Sequence, residues 1–95
     1  MKRAYIFVYS DELGTREKVK GYLNSMREIT HWRYDLPNCF YLISESDAEH
    51  LAIELRTLAG NHRFIIAEIG QNKQGWLTKE TWFLVNNKSY MPKDS

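Results

Sequence analysis

Ninety-five residues with 43% hydrophobic and 26% charged side chains bound one globular domain, 1–95, with a single core, and exclude both a disordered chain and a second domain. Thirteen basic against twelve acidic side chains leave a formal charge of +1, which excludes the strongly basic footprint of a non-specific nucleic-acid binder. One cysteine, Cys39, excludes an internal disulfide. With nothing like a signal peptide and no apolar run long enough for a bilayer, a cytoplasmic protein without membrane contact is the expectation.

The chain is organised around Ala4-Tyr5-Ile6-Phe7-Val8-Tyr9, an apolar and aromatic run with β-branched members that predicts a strand buried on both faces. Ser10-Asp11-Glu12 follows at once, so polar groups reach solvent where the strand stops. Leu13-Gly14 then makes a turn. Thr15 caps a helix whose apolar residues Val19, Tyr22, Leu23 and Met26 recur at i, i+3, i+4 and i+7. Gly21 lies inside this helix at a cost of about 1 kcal/mol relative to alanine, for which close packing against the sheet is the expected reason.

Residues 29–36 alternate, with Trp32, Tyr34 and Leu36 on one side and His31, Arg33 and Asp35 on the other. This is the pattern of a half-exposed edge strand. Pro37-Asn38 supplies a turn, and Cys39-Phe40-Tyr41-Leu42-Ile43 returns as an apolar strand in which Cys39 is a small core residue. Ser46-x-x-Glu49 has the form of a capping box, and Ala48, Leu51, Ala52, Leu55 and Ala59 give a helical stripe that ends at Gly60. Residues 63–69 make a fourth strand. Beyond a polar loop, 78–87 read either as a short helix capped by Thr78, with Leu77 and Trp82 as a hydrophobic staple, or as a strand over 81–85. The core is therefore about 4–70, the C-terminal extension 76–88 and a frayed tail 89–95.

Strand, helix, strand, strand, helix, strand is the order of a ferredoxin-like βαββαβ α+β sandwich, with an antiparallel sheet and both helices on one face. The C-terminal extension adds a helix or strand to it. If Ile6 and Val8 face those helices, Tyr5, Phe7 and Tyr9 face away, joined by Tyr41 and by Trp32 or Tyr34. An aromatic face of that size needs a cover. The candidates are a second subunit, the C-terminal segment with Trp76 and Trp82, or a ligand, and the expected interface set is Tyr5, Phe7, Tyr9, Tyr41, Trp76 and Trp82.

With these elements placed, the chain resembles the SinR-like family of small ferredoxin-like proteins, themselves similar to the small CRISPR adaptation protein family. The resemblance is carried by the strand end at 5–11, by His31-Trp32-Arg33-Tyr34-Asp35-Leu36, by the strand at 39–44 and by Gly75-Trp76-Leu77-Thr78-Lys79-Glu80-Thr81-Trp82. The CRISPR family implies homodimers, association with nucleic acid and, in some members, a metal-dependent nuclease whose aspartate after the first strand holds one ion between two subunits. That aspartate commonly follows the strand's last tyrosine directly; here Tyr9 is followed by Ser10 and then Asp11. Ile6-Phe7-Val8 and residues 47–69 are also similar to parts of an RNA-recognition motif. The third strand lacks that motif's basic residue and glycines, which makes this a likeness of fold.

The functional expectations follow. Asp11 is the candidate catalytic and metal-binding residue of a divalent-metal phosphodiesterase, with Mg²⁺ or Mn²⁺ as its ion; otherwise no cofactor is expected. Arg16, Lys20 and Arg27 on the first helix and Arg33 on the edge strand are the candidate phosphate contacts. His31, His50 and His62 show no metal-pair spacing and read as surface residues. The favoured function is a non-catalytic, dimeric structural or binding module with nucleic acid as a partner to test. The alternatives are the Asp11 nuclease and a protein-binding adaptor that uses the aromatic face.

Overall fold

The extended run Arg3–Tyr9 forms β1 in the computed structural model, which describes residues 1–92. A short 3-10 turn, Asp11–Leu13, leads to α1, Arg16–Ser25, capped by the Thr15 side chain, which accepts the Lys18 N–H. β2, Ile29–Tyr34, and β3, Cys39–Ser44, form a hairpin whose turn contains Asn38 at φ 52°. α2, Ala48–Ala59, is followed by β4, Phe64–Glu68, and the last element is α3, Lys79–Asn87. The α2 cap is Asp47, whose carboxylate accepts the His50 N–H at 2.8 Å; Ser46 is one residue too early. Gly60, at φ 89°, closes α2.

The four strands lie in the order β2-β3-β1-β4 with every neighbouring pair antiparallel. This α+β arrangement of one antiparallel sheet and three helices is consistent with a ferredoxin-like fold. β3 is buried at every position and β2 at none. The ambiguous segment 78–87 is helical: Thr78 caps α3 and the staple residues Leu77 and Trp82 share one small cavity with Ile6, Tyr41, Ile69 and Val85.

The two faces of the sheet are assigned opposite to the sequence expectation. Tyr5, Phe7 and Tyr9 point toward α1 and α2, where they form one core with Val19, Leu23, Met26, Leu51 and Leu55. Phe40 is the hub of the rings, with centroids at 6.2 Å from Phe7, 6.0 Å from Tyr9, 5.5 Å from Trp32 and 5.9 Å from Tyr34. Two helices carrying mainly aliphatic stripes leave room for rings, and the phenol that such burial would strand is satisfied because Tyr5 donates its O–H to the Ser46 carbonyl. The aromatic set is thus covered within the chain. It is not a surface awaiting a partner.

Ala4, Ile6 and Val8 occupy the other face with Cys39, Tyr41 and Ile43, and α3 covers part of it through Leu84 and Val85. Tyr41 pairs across the strands with Ile6, so it belongs to this aliphatic face rather than to the aromatic one. Cys39 is a buried core thiol, as its strand position predicts. Burial raises its pKa and pushes the Tyr41 phenol up to about 12, the latter reinforced by Cys39. Gly21 packs against nothing: it is exposed, and a Cβ built on it meets no atom within 4 Å.

The expected frayed tail is tied down where it is described. Tyr90 accepts the Trp32 N–H at 3.2 Å and donates to the Trp32 carbonyl at 2.9 Å, and its ring stands edge-on to His31 at 4.6 Å. One phenol thus does for the outer edge of β2 what a further strand would do at that residue. Residues 93–95 of that tail lie outside the described residues.

Candidate functional site

At the end of β1 the chain turns through Ser10 into the 3-10 turn, and the backbone there is fixed from two directions. Ser10 donates its N–H to the Arg63 carbonyl at 3.0 Å and Tyr9 donates to the Asn38 carbonyl at 3.1 Å. Asp11 is exposed, and its Oδ1 accepts from Asn38 Nδ2 at 2.8 Å, so its carboxylate bridges the strand end and the β2–β3 turn. Ser10 Oγ is shut off from solvent without a hydrogen-bond partner among the described residues. Asp11 and Glu12 join no group of three or more metal-ligating side chains among the described residues. A metal site on Asp11 therefore needs ligands from a second copy of the chain or from a substrate.

Of the four candidate phosphate contacts, two come together. The Arg16 guanidinium lies over the Tyr34 ring at 4.2 Å and the Lys20 ammonium at 5.0 Å, which makes Tyr34 the meeting point of α1 and the end of β2. Lys20 also pairs with Glu17 at 3.0 Å. Arg33 is not beside them. It sits across from Tyr41 on the face that α3 covers, and its Nε donates to Thr81 Oγ1 at 2.9 Å. Arg27 is exposed in the turn between α1 and β2.

Arg33 belongs instead to a polar cluster that anchors α3. Asp35 Oδ2 accepts the Thr78 N–H at 2.9 Å, the Thr78 hydroxyl at 3.1 Å and the Thr81 hydroxyl at 2.9 Å. The Thr78 N–H, the two hydroxyls and the Arg33 charge hold the Asp35 carboxyl below its ordinary pKa, against a partial burial that acts the other way. Nothing in the spacing of Asp35 and Thr78 marks them as partners. The cluster is structural in geometry, since each of its groups is turned inward on another.

One apolar patch left open lies at the β4 end of the sheet. Val8 and Ile65 are register partners across β1 and β4, and they are 41% and 61% exposed on the part of the aliphatic face that α3 does not reach. β4 has β1 as its one strand neighbour, whereas Tyr90 occupies the edge of β2. Trp76 is 97% exposed and Trp82 is half-buried against the α3 cavity. Of the expected interface residues, then, Trp76 is at the surface, Trp82 is half-covered, and Tyr5, Phe7, Tyr9 and Tyr41 are core. Sequence reasoning passed over Val8 and Ile65 because each lies in a continuous apolar run. Their exposure follows only once the faces are assigned.

Among the described residues no helix is long and apolar enough to cross a membrane. Compared with known protein families, curated proteins and solved structures, the chain matches none.

Proposed function

We propose that the protein is a non-catalytic binding module of ferredoxin-like topology that forms a homodimer through β4 and the adjoining open part of the sheet. The observation that carries this reading is the Val8–Ile65 pair: two aliphatic side chains, exposed side by side on a strand pair that ends the sheet. An uncovered edge strand with an apolar flank is a template for a second chain. A two-fold arrangement would place β4 against its own copy and cover both Ile65 side chains at once. The fully exposed Trp76 adds an aromatic of the type enriched in interfaces. A homodimer, without a stated interface, is also what the resemblance to the CRISPR adaptation family implies.

Nucleic acid is the partner proposed for the dimer, with Arg16 and Lys20 around Tyr34 as the phosphate-contacting surface, doubled by the two-fold axis. The Asp11 phosphodiesterase with Mg²⁺ or Mn²⁺ remains the enzymatic alternative. Asp11 is exposed in support of it, although Asn38 already engages one of its oxygens.

Sedimentation equilibrium on the wild type and on Ile65→Lys tests the dimer. The expected result is a dimeric wild type and a monomeric variant with an unchanged far-UV spectrum, because Ile65 is 61% exposed and lies outside both buried cores. A wild type that stays monomeric at the highest soluble concentration, or a variant that remains dimeric, would overturn the proposal.

A further inference from the structure

Three side chains from two segments far apart in the sequence meet on the helical layer, on the side of the sheet opposite α3. His50 and Glu54 are one helical turn apart on α2, and Glu28 reaches them from the turn that follows α1. One ligand atom from each lies within 4.8 Å of the others. The i, i+4 spacing puts His50 and Glu54 on one face of the helix. The backbone of His50 is fixed by the Asp47 cap, so the imidazole starts from a rigid first turn.

We infer that Glu28, His50 and Glu54 form a binding site for a divalent zinc-class cation that clamps the α1–β2 turn to α2. Three observations carry this. First, the donor set is one imidazole nitrogen and two carboxylates, which suits Zn²⁺ or Co²⁺ rather than the all-oxygen preference of Mg²⁺ and Ca²⁺. Second, two anionic side chains converge on one point, where a dication neutralises both. Third, Glu54 Oε1 is closed to solvent and has no hydrogen-bond partner among the described residues. A buried carboxylate oxygen left unpaired is costly, and a cation is one of the few groups that satisfies it.

The geometry is within reach of coordination. Ligand atoms about 2.0–2.2 Å from a tetrahedral zinc stand about 3.4 Å apart. Glu28 and His50 are exposed and close that gap by side-chain rotation, while the less exposed Glu54 is the fixed member. Three protein ligands leave the fourth position to water on the open side. The site is separate from β4 and from Asp11, so it stands or falls independently of the proposed dimer.

Titration of the tag-free, chelator-stripped protein with Co²⁺ and then Zn²⁺, followed by visible absorption and calorimetry, tests it. The expected result is one Co²⁺ per chain with tetrahedral d–d bands, displaced by Zn²⁺ and not by Mg²⁺ or Ca²⁺. His50→Ala and Glu54→Gln should each weaken binding by at least tenfold, on the order of what disturbing even a ligand's support does. Glu28→Gln should weaken it too, whereas His31→Ala and His62→Ala should leave it unchanged. Circular dichroism shows that each variant is folded. No stoichiometric binding by the wild type, binding that survives both His50→Ala and Glu54→Gln, or binding lost in His31→Ala or His62→Ala would overturn the inference.

Discussion

Asp35, the residue after β2, accepts the backbone N–H of Thr78 at 2.9 Å across 43 positions of chain. Thr78 is the N-cap of α3, so the helix is capped twice. Its own threonine hydroxyl faces the Thr81 N–H, and a carboxylate from the sheet neutralises the N-terminal end from outside. The same carboxylate binds the Thr81 hydroxyl, which also takes the Arg33 Nε–H. Asp35 thus decides how α3 sits on the aliphatic face, and through it what part of that face is left open for Val8 and Ile65.

The first prediction follows from that link. Asp35→Ala removes three hydrogen bonds and leaves the buried Thr81 hydroxyl with the Thr78 hydroxyl in place of a charged acceptor. A loss of about 1–3 kcal/mol is expected, the range for a cap plus charge-assisted bonds. The sign with pH is fixed by the depressed carboxyl. The folded state binds fewer protons than the unfolded chain, so the contribution is present above the unfolded pKa of about 3.9 and is lost as pH falls through the lower folded value. Denaturant melts between neutral pH and strong acid check this: Asp35→Asn should flatten the acid limb relative to wild type. An unchanged limb would remove Asp35 as its source.

The second prediction concerns the edge of β2. Tyr90→Phe keeps the ring against His31 but deletes both hydrogen bonds to the Trp32 backbone. Because the site is at the surface, the expected loss is about 0.5–1.5 kcal/mol. Hydrogen exchange at the Trp32 amide should accelerate far more than at β3 amides, since the opening is local. Equal acceleration throughout the sheet would mean that Tyr90 supports the whole fold.

The first two helices and the hairpin were legible in the sequence because their signals are local, whereas 78–87 read as a helix or as a strand. Thr15 and Thr78 stand where caps are needed, Val19, Leu23, Leu51 and Leu55 recur at helical spacing, and Asn38 takes the positive φ of the hairpin turn. The orientation of β1 was not legible. Alternation says that Tyr5, Phe7 and Tyr9 share a face but not which layer they meet. That was decided by the room between α1 and α2 and by the Ser46 carbonyl that takes the Tyr5 hydroxyl. Arg33 could not be separated from Arg16 and Lys20 without knowing that α3 covers its face. The proposed metal site was not read from the sequence, where His50 stood as a surface residue: Glu54 lies one helical turn from it, but the arrival of Glu28 depends on how α1 lies beside α2.

Gly21 gives a third prediction. It lies inside α1, exposed, with no atom near a built Cβ, so no packing reason opposes a side chain there. Gly21→Ala should stabilise the protein by about 0.5–1 kcal/mol through helix propensity and a less flexible unfolded chain. Thermal melts should rise by roughly 2–8 °C for a domain of this size. A fall would indicate that α1 needs the glycine for a contact made in the assembled state.

A fourth prediction tests the basic surface. With a net charge of +1, binding of single- or double-stranded DNA or RNA at physiological salt should be weak. Whatever binding exists should drop when Arg16 and Lys20 are both replaced by alanine, and should be insensitive to Arg33→Lys, since Arg33 is committed to Thr81. Titration at two salt concentrations measures it. Sub-micromolar affinity that survives the higher salt, or an equal loss in the Arg33 variant, would reassign the surface.

The last prediction concerns Asp11. Its carboxylate is exposed and makes one bond, to Asn38 Nδ2, so Asp11→Ala should cost no more than about 1 kcal/mol and leave the spectrum of the folded protein intact. If the protein is a binding module, neither Mg²⁺ nor Mn²⁺ should shift the melting temperature of wild type relative to this variant, because a cation held by Asp11 would stabilise the folded state in proportion to its occupancy. Incubation with labelled DNA and RNA in the presence of either ion should leave both uncut. Metal-dependent cleavage that disappears in Asp11→Ala, with the fold unchanged, would move the protein into the enzyme class. It would also require the two strand ends of a dimer to approach each other, since a single chain offers Asp11 no cluster of fellow ligands among the described residues.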